Sequence, residues 1–191
     1  MIFTPLALSG AMIVDLERFE DTRGFFARAW CEREFASAGL NPRLVQASIS
    51  QNRRRGTLRG MHYQIAPYEE DKLVRCIQGA VWDVIIDLRP QSATYLQHRG
   101  VELSAARGRA LYVPRGFAHG FQSLVDDAQV FYQMSEVYMP AAARGIRWDD
   151  PRFAIDWPER PPILHPRDAA YPDFTPAWRG AESGDRVYAT R

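Results

Sequence analysis

Lys72 is the single lysine of a chain whose other long basic side chains are all arginines. A lysine ammonium is a compact charge that can sit against one oxygen atom, whereas an arginine presents a planar fork. His62 stands ten residues before it, and a histidine can take a proton from a carbon beside a ketone if a cation faces the enolate oxygen that forms. The pair therefore predicts carbon-acid chemistry, with Tyr132 or Tyr138 as the acid that returns the proton.

The residues around His62 and His119 follow the spacing of a known metal-binding pattern. Two stretches match the cupin motifs: Gly108, Pro114, Gly116 and His119 in one, and Gly56, His62, Gln64, Glu69 and Gly79 in the other. Gln64 stands where metal-binding cupins carry a second histidine, and an amide oxygen is a poor ligand for divalent transition metals. We therefore predict no functional metal at the four motif positions, which are His62, Gln64, Glu69 and His119.

Each candidate residue also has a purely structural alternative. A single lysine can be what a coding bias toward arginine leaves on the surface, and a lone histidine in a strand is often structural. Tyrosines are common inside β-barrels, where the ring packs and the hydroxyl finds a partner. The occurrence of His62 and Lys72 together with an altered metal motif favours the catalytic interpretation.

Two arginines stand among glycines and aromatic residues rather than among other charges. Arg23 lies within residues 21–26, and Arg59 directly precedes Gly60. Such surroundings suit a buried guanidinium that holds a diphosphate or a carboxylate through paired hydrogen bonds. The arginine run at residues 53–55 is predicted to be a solvated loop instead.

The elements that must position these side chains are predicted to be β-strands. Gly and Pro recur at short intervals, and runs rich in β-branched and aromatic residues lie between them, which is the rhythm of a sandwich or barrel. Residues 81–88 predict a strand whose even-numbered side chains share one face and whose odd-numbered side chains share the other. Further strands are predicted from residue 72, over 110–113 and over 128–138, with a turn at 78–80 and one helix at 32–38.

Gly60 is predicted to be an irregular position in its strand. Strict alternation would put Arg59 and His62 on opposite faces. Both can face one cavity only if Gly60 allows a bulge or a local twist.

Length and composition predict a single domain over residues 1–191, with an irregular tail from about residue 151. The net charge of +1 provides no bulk field for nucleic acid or a membrane surface. The two cysteines are too few for a disulfide framework, and no apolar run reaches the roughly 20 residues of a membrane span. Because the N-terminus also lacks a signal-peptide pattern, we expect a cytoplasmic protein.

Six ordered stretches of the chain carry a family resemblance, at residues 21–26, 57–64, 72–76, 83–89, 114–121 and 145–151. They resemble the dTDP-4-dehydrorhamnose 3,5-epimerase family of nucleotide-sugar enzymes, over a span from about Phe19 to Phe174. The resemblance implies a cupin-type jelly roll, or double-stranded β-helix, that forms a homodimer and needs no metal or cofactor. It also implies epimerisation of a nucleotide-diphospho-4-keto-6-deoxy sugar at C3 and C5. Jelly rolls must manage open sheet edges, and exchange of an N-terminal strand between copies is one way.

The resemblance further implies roles for individual residues. His62 matches the general base, and Asp168 matches the carboxylate that orients it and favours its protonated form. Lys72 matches the residue beside the C4 oxygen of the sugar, and Tyr132 matches the general acid. The matching substrate-binding positions are Arg23, Gln46, Ser50, Arg59, His119 and Tyr138.

Three positions depart from the family pattern. Ser48 stands where Asn is common, Arg28 where Glu is common, and His165 where Ser is common. These changes leave the catalytic set intact and bear on which nucleotide and sugar are bound. Four alternatives stay open because jelly rolls host many functions: a C3-only epimerase, a ketoisomerase, a metal-dependent cupin enzyme and a non-catalytic sugar-binding cupin.

Overall fold

The computed structural model describes residues 1–176 of the chain. Its regular structure is almost entirely β, as predicted. The strands are β1 (Ile2–Pro5), β2 (Met12–Asp15), β3 (Arg18–Asp21), β4 (Gly24–Ala27), β5 (Gln46–Asn52), β6 (Leu58–Gln64), β7 (Lys72–Gln78), β8 (Ala80–Asp87), β9 (His98–Ser104), β10 (Ala110–Val113), β11 (Phe117–Ser123), β12 (Ala128–Met134) and β13 (Ala143–Gly145). The helices are α1 (Glu32–Ser37) and α2 (Pro166–Ala169).

Two antiparallel sheets and one separate hairpin contain these strands. The six-stranded sheet has the order β1-β2-β10-β7-β12-β5, and the five-stranded sheet has the order β13-β6-β11-β8-β9. Within the described residues, β3 and β4 pair only with each other. Sheet neighbours that are distant in sequence are typical of a cupin-type jelly roll, so the predicted fold class is confirmed.

The main hydrophobic core lies between the two sheets. Val74 and Leu111 enter it from the six-stranded sheet, and Val81, Ile85 and Phe117 enter it from the five-stranded sheet. Val81 and Ile85 are odd-numbered residues of β8, and the even-numbered residues of that strand pack on the opposite face. The alternation predicted for residues 81–88 is therefore confirmed.

Segments outside the sheets cover both outer faces. Phe35 of α1 packs with Leu73 and Tyr112 on the six-stranded sheet. Phe153 and Trp157, from the segment after β13, belong to the apolar cluster on the five-stranded sheet. Apart from α2 this segment is irregular up to residue 176. The rest of the predicted tail, at residues 177–191, lies outside the described residues.

Most predicted boundaries are confirmed, but one strand was predicted too long. The helix at 32–38 is observed as α1, and Gly79 turns the chain between β7 and β8 with a φ of 71°. The strand predicted over 128–138 ends at Met134 because Ser135 turns to Asp71, donating its backbone N–H to the carbonyl and its hydroxyl to the carboxylate. None of the helices within residues 1–176 is long and apolar enough to cross a membrane.

Candidate active site

A cavity of about 630 Å³ opens between strands of both sheets. The side chains that line it and matter below are Gln46, Ser48, Ser50, Arg59, His62, Gln64, Glu70, Lys72, His119, Tyr132, Tyr138, Arg144, Arg167 and Tyr171. Most of the sequence-predicted site residues are thus brought together in one place.

The predicted irregularity at Gly60 is present and places two side chains on the cavity side of β6. Arg59 pairs with Phe121 and His62 pairs with His119, so three steps along β6 span two steps along β11. Gly60 has a φ of 145°, which disfavours any residue with a side chain. A Cβ at Gly60 would also lie 2.5 Å from a backbone atom of the neighbouring strand.

His62 is held by a carboxylate from the far end of the described chain. Its Nε2 lies 2.9 Å from Oδ1 of Asp168, which is part of α2 and is buried. The second oxygen of Asp168 accepts the backbone N–H of Gly60. Burial lowers the pKa of His62 below its usual value and outweighs the opposing effect of the Asp168 carboxylate. The imidazole is therefore neutral near pH 7 and can act as a base.

His119 has a second, separate carboxylate partner. Its Nε2 lies 2.9 Å from Oδ2 of Asp83, which is fully buried on the adjacent strand β8. Because β8 and β11 alternate in step, both side chains point from the five-stranded sheet toward the cavity side. The carboxylate fixes the orientation of the ring at the cavity wall.

Lys72 projects inward from the first position of β7. It shares a strand face with Val74, which lies in the core between the sheets. Its Nζ lies 3.1 Å from Oε1 of Glu70, and the two side chains are only 11% and 8% exposed. The cavity therefore contains an almost buried ammonium group in addition to a neutral base.

Polar side chains from β5 and β12 form the opposite wall. Tyr132 extends from the inner face of β12 and Ser50 from the inner face of β5. The Ser50 hydroxyl is buried without a hydrogen-bond partner in the described part of the chain. Gln46 accepts the backbone N–H of Tyr138 with its side-chain oxygen, which ties the loop after β12 to β5.

The prediction of two buried arginines is wrong. Arg59 lines the cavity but is exposed, with its guanidinium donating to the side chain of Asn52. Arg23 lies in the turn of the β3–β4 hairpin, where it pairs with Asp21 and its side chain is 87% exposed. It does not line the cavity, because the hairpin stands apart from both sheets within this chain.

The side chains at the metal-motif positions do not fit a metal site. The Nε2 atoms of His62 and His119 face carboxylates, and the Gln64 oxygen accepts the backbone N–H of Met139. Glu70 lines the cavity and Glu69 does not. The described residues contain no group of three or more acidic, histidine or cysteine side chains that could hold a metal ion.

Sequence reasoning did not identify Glu70, Arg144, Arg167 or Tyr171 as cavity residues. Tyr171 packs edge-on against His62, with ring centroids 5.8 Å apart. Arg167 is the sequence neighbour of Asp168, which could have drawn attention to it. Glu70 stands two residues before Lys72, a spacing that puts neighbours on the same side of an extended chain. Tyr171 lies in an irregular segment, where no periodicity marks its direction.

Comparison with known proteins agrees with the fold and the cavity, which define a cupin-type β-protein. The family profile described as dTDP-4-dehydrorhamnose 3,5-epimerase matches residues 5–176. The chain belongs to this family.

Individual relatives cover most of the chain. A dTDP-4-dehydrorhamnose 3,5-epimerase from Methanothermobacter thermautotrophicus is 44% identical over 156 residues, which is 82% of this chain and 83% of the relative. A dTDP-4-dehydrorhamnose 3-epimerase from Streptomyces niveus is 40% identical over 169 residues, which is 88% of this chain and 81% of the relative. The crystal structure of the 3,5-epimerase from Bacillus anthracis, with TDP and PPi bound, has a TM-score of 0.88 at 38% identity and covers 91% of this chain and 99% of that one.

Proposed function

We propose that this protein epimerises a dTDP-4-keto-6-deoxy sugar at C3 and C5 without a cofactor, in the synthesis of deoxysugars for surface polysaccharides. The observation that carries the proposal is the neutral, carboxylate-held His62 in the same cavity as the almost buried Lys72 ammonium. Together with family membership, this arrangement supplies the base and the cation that enolisation beside a ketone requires.

The proposed mechanism removes a proton from one face of the sugar ring and delivers a different proton to the other face. His62, oriented by Asp168, removes the proton from the carbon next to the ketone, and the electron pair moves to the C4 oxygen. Lys72 stabilises the resulting enolate. Tyr132 then delivers a proton to the opposite face of the same carbon, so its configuration inverts. His62 then releases its proton to solvent and Tyr132 regains one from solvent, after which the same sequence at the second carbon beside the ketone completes the reaction.

Substrate binding is proposed for the polar groups that surround this centre. Arg59 offers an exposed guanidinium for a phosphate, and Ser50 offers a hydroxyl that has no partner in the described chain. Gln46, His119 and Tyr138 line the same cavity. Ser48 also lines it, whereas Arg28 pairs with Glu34 on the surface, so of the three departures Ser48 bears directly on what the cavity accepts.

Epimerisation at C3 alone is the second candidate. The Streptomyces niveus relative is named a 3-epimerase and is 40% identical to this chain. Sequence identity at this level is therefore found with 3-epimerases as well as with 3,5-epimerases. Both reactions need the same base, cation and acid. The two differ in whether the sugar can present its second carbon to them.

Solvent-deuterium incorporation tests both candidates. The protein is incubated in D2O with dTDP-4-keto-6-deoxyglucose, and the sugar is followed by mass spectrometry and proton NMR. Deuterium at C3 and C5 is expected, and deuterium at C3 alone would establish the second candidate. Absence of exchange at both carbons would contradict both candidates. A His62→Ala variant is the control, because it should lose exchange at both positions.

We also infer a cytoplasmic homodimer in which residues 1–191 form one domain. The β3–β4 hairpin exposes Phe19, Phe25 and Phe26, which are 63%, 52% and 74% exposed. β5 is the last strand of its sheet within the described residues and exposes Ile49. Docking of the hairpin on β5 of a second copy would bury both apolar groups and would bring Arg23 to that copy's cavity.

A further inference from the structure

Glu70 bridges two hydrogen-bond donors in the wall of the cavity. Its Oε1 lies 3.1 Å from Nζ of Lys72, and its Oε2 accepts from Nε2 of Gln64 at 2.7 Å. Both its partners are nearly buried, since the whole residues, backbone included, are 5% exposed for Gln64 and 9% exposed for Lys72. A bridge between two buried donors requires a side chain that accepts at both ends.

The orientation of Gln64 is fixed independently of Glu70. Its oxygen accepts the backbone N–H of Met139 at 2.6 Å, and the two hydrogens of its Nε2 are shared among Glu70 and the carbonyl oxygens of Tyr68 and Val137. The amide therefore cannot turn to present its oxygen to residue 70 without losing these bonds. A carboxylate at residue 70 satisfies both donors, whereas an amide there would direct an N–H group at one of them.

Lys72 needs such a partner if its ammonium is to stay in one place. A lysine side chain loses rotamer entropy when it is fixed, and a point charge stabilises an enolate oxygen only when it is already in position. We propose that Glu70 is a positioning residue that holds the Lys72 ammonium in the cavity and is itself anchored by Gln64. The glutamine at the metal-motif position thus orients a cation. This inference rests on the proposed function for its kinetic consequence but not for its structural one.

The structural consequence is tested without substrate, because Lys72 is the only lysine in the chain. Protein labelled with 13C-lysine gives a single Cε signal. A held side chain has two Hε protons with clearly different chemical shifts, whereas free rotation averages their surroundings and brings the two shifts close to one value. We expect two Hε shifts in the wild type and in Glu69→Gln, and one averaged shift in Glu70→Gln. Averaged shifts in the wild type, or unchanged splitting in Glu70→Gln, would overturn the proposal.

The kinetic consequence is tested by a double-mutant cycle. Glu70→Gln is expected to lower kcat about 10-fold with KM within about 2-fold, and in a Lys72→Met background the same change should alter kcat less than about 2-fold. Equal effects in both backgrounds would mean that Glu70 acts structurally rather than through Lys72. Glu69→Gln is the matched control and should keep wild-type turnover. If the wild type does not turn over the nucleotide sugar, the proposed function fails while the NMR measurement still decides the role of Glu70.

Discussion

At the scale of single residues, three of the basic groups that line the cavity each face a carboxylate. His62 pairs with Asp168, His119 pairs with Asp83, and Lys72 pairs with Glu70. The pairs differ in consequence, because the partly buried imidazole of His62 can be neutral and basic, whereas the Lys72 ammonium supplies a charge. Burial lowers the pKa of His62 despite the opposing influence of Asp168.

The pH dependence of the reaction should report this balance. If His62 is the base, kcat/KM falls as the pH drops through the His62 pKa, which burial holds below the usual value for histidine. Asp168→Asn removes an influence that raises this pKa, so its acid limb should move to lower pH while kcat falls roughly 10²-fold. Steady-state rates from pH 4.5 to 8 measure both. Asp149→Asn is the control, and an acid limb unmoved in Asp168→Asn would contradict the assignment.

At the scale of elements, Asp71 fixes the start of β7 immediately before Lys72. Its carboxylate binds the Arg115 guanidinium, the Tyr112 hydroxyl, the Asn41 amide and the Ser135 hydroxyl. These groups come from β10, from the turn after it, from the end of β12 and from the loop after α1. One buried carboxylate thus joins the elements that position the lysine.

Asp71→Asn should therefore lower the free energy of unfolding by about 3–5 kcal/mol, since it leaves buried donors without their charged partner. Burial alone would raise the pKa of Asp71, but Asn41 and Arg115 bring it below the usual value. The stabilisation is thus present at neutral pH and is lost as the pH falls through the folded-state pKa. Urea denaturation at pH 7 and in acid measures the free energy of unfolding, and the difference between the variant and the wild type should be smaller in acid.

The control is Asp15→Asn, which changes a partly exposed pair with Arg109 and is expected to lower the free energy of unfolding by at most about 1 kcal/mol. A loss below 1 kcal/mol in Asp71→Asn would refute this role.

At the scale of the whole molecule, the β3–β4 hairpin and the β5 edge are two exposed surfaces of the described chain. The hairpin presents three exposed phenylalanines, and β5 presents a row of unpaired backbone groups within the described structure. Exposed strand edges of this kind favour pairing with another chain. The hairpin also carries Arg23, which the single chain keeps away from its own cavity.

A homodimer is expected in light-scattering measurements, and Phe26→Asp should shift it toward monomer. Because the monomer would lack Arg23 from a second copy, KM for the nucleotide sugar should rise about 10-fold or more in this variant. Val125→Asp changes an exposed apolar residue that belongs to neither the hairpin nor β5, and it should leave the dimer intact. A wild-type monomer with full activity would rule out docking of the β3–β4 hairpin on a second copy.

Much of the fold and part of the site follow from the sequence. The alternation of residues 81–88 predicts the two faces of β8, because side chains of an extended chain point to opposite sides in turn. The conflict between Arg59 and His62 predicts the irregularity at Gly60 for the same reason. His62 and Lys72 could be chosen by chemical type alone, and Asp168 through a family resemblance rather than through any periodicity.

The tertiary structure alone decided which partners these side chains meet. Glu70 rather than Glu69 faces the cavity, and β12 ends at Met134 because Ser135 turns to Asp71. Arg23 lies outside the cavity of its own chain because its hairpin joins neither sheet. Local periodicity fixes the direction of a side chain within a strand, but its partners depend on sheet register and on irregular segments, which are set by packing between residues far apart in sequence.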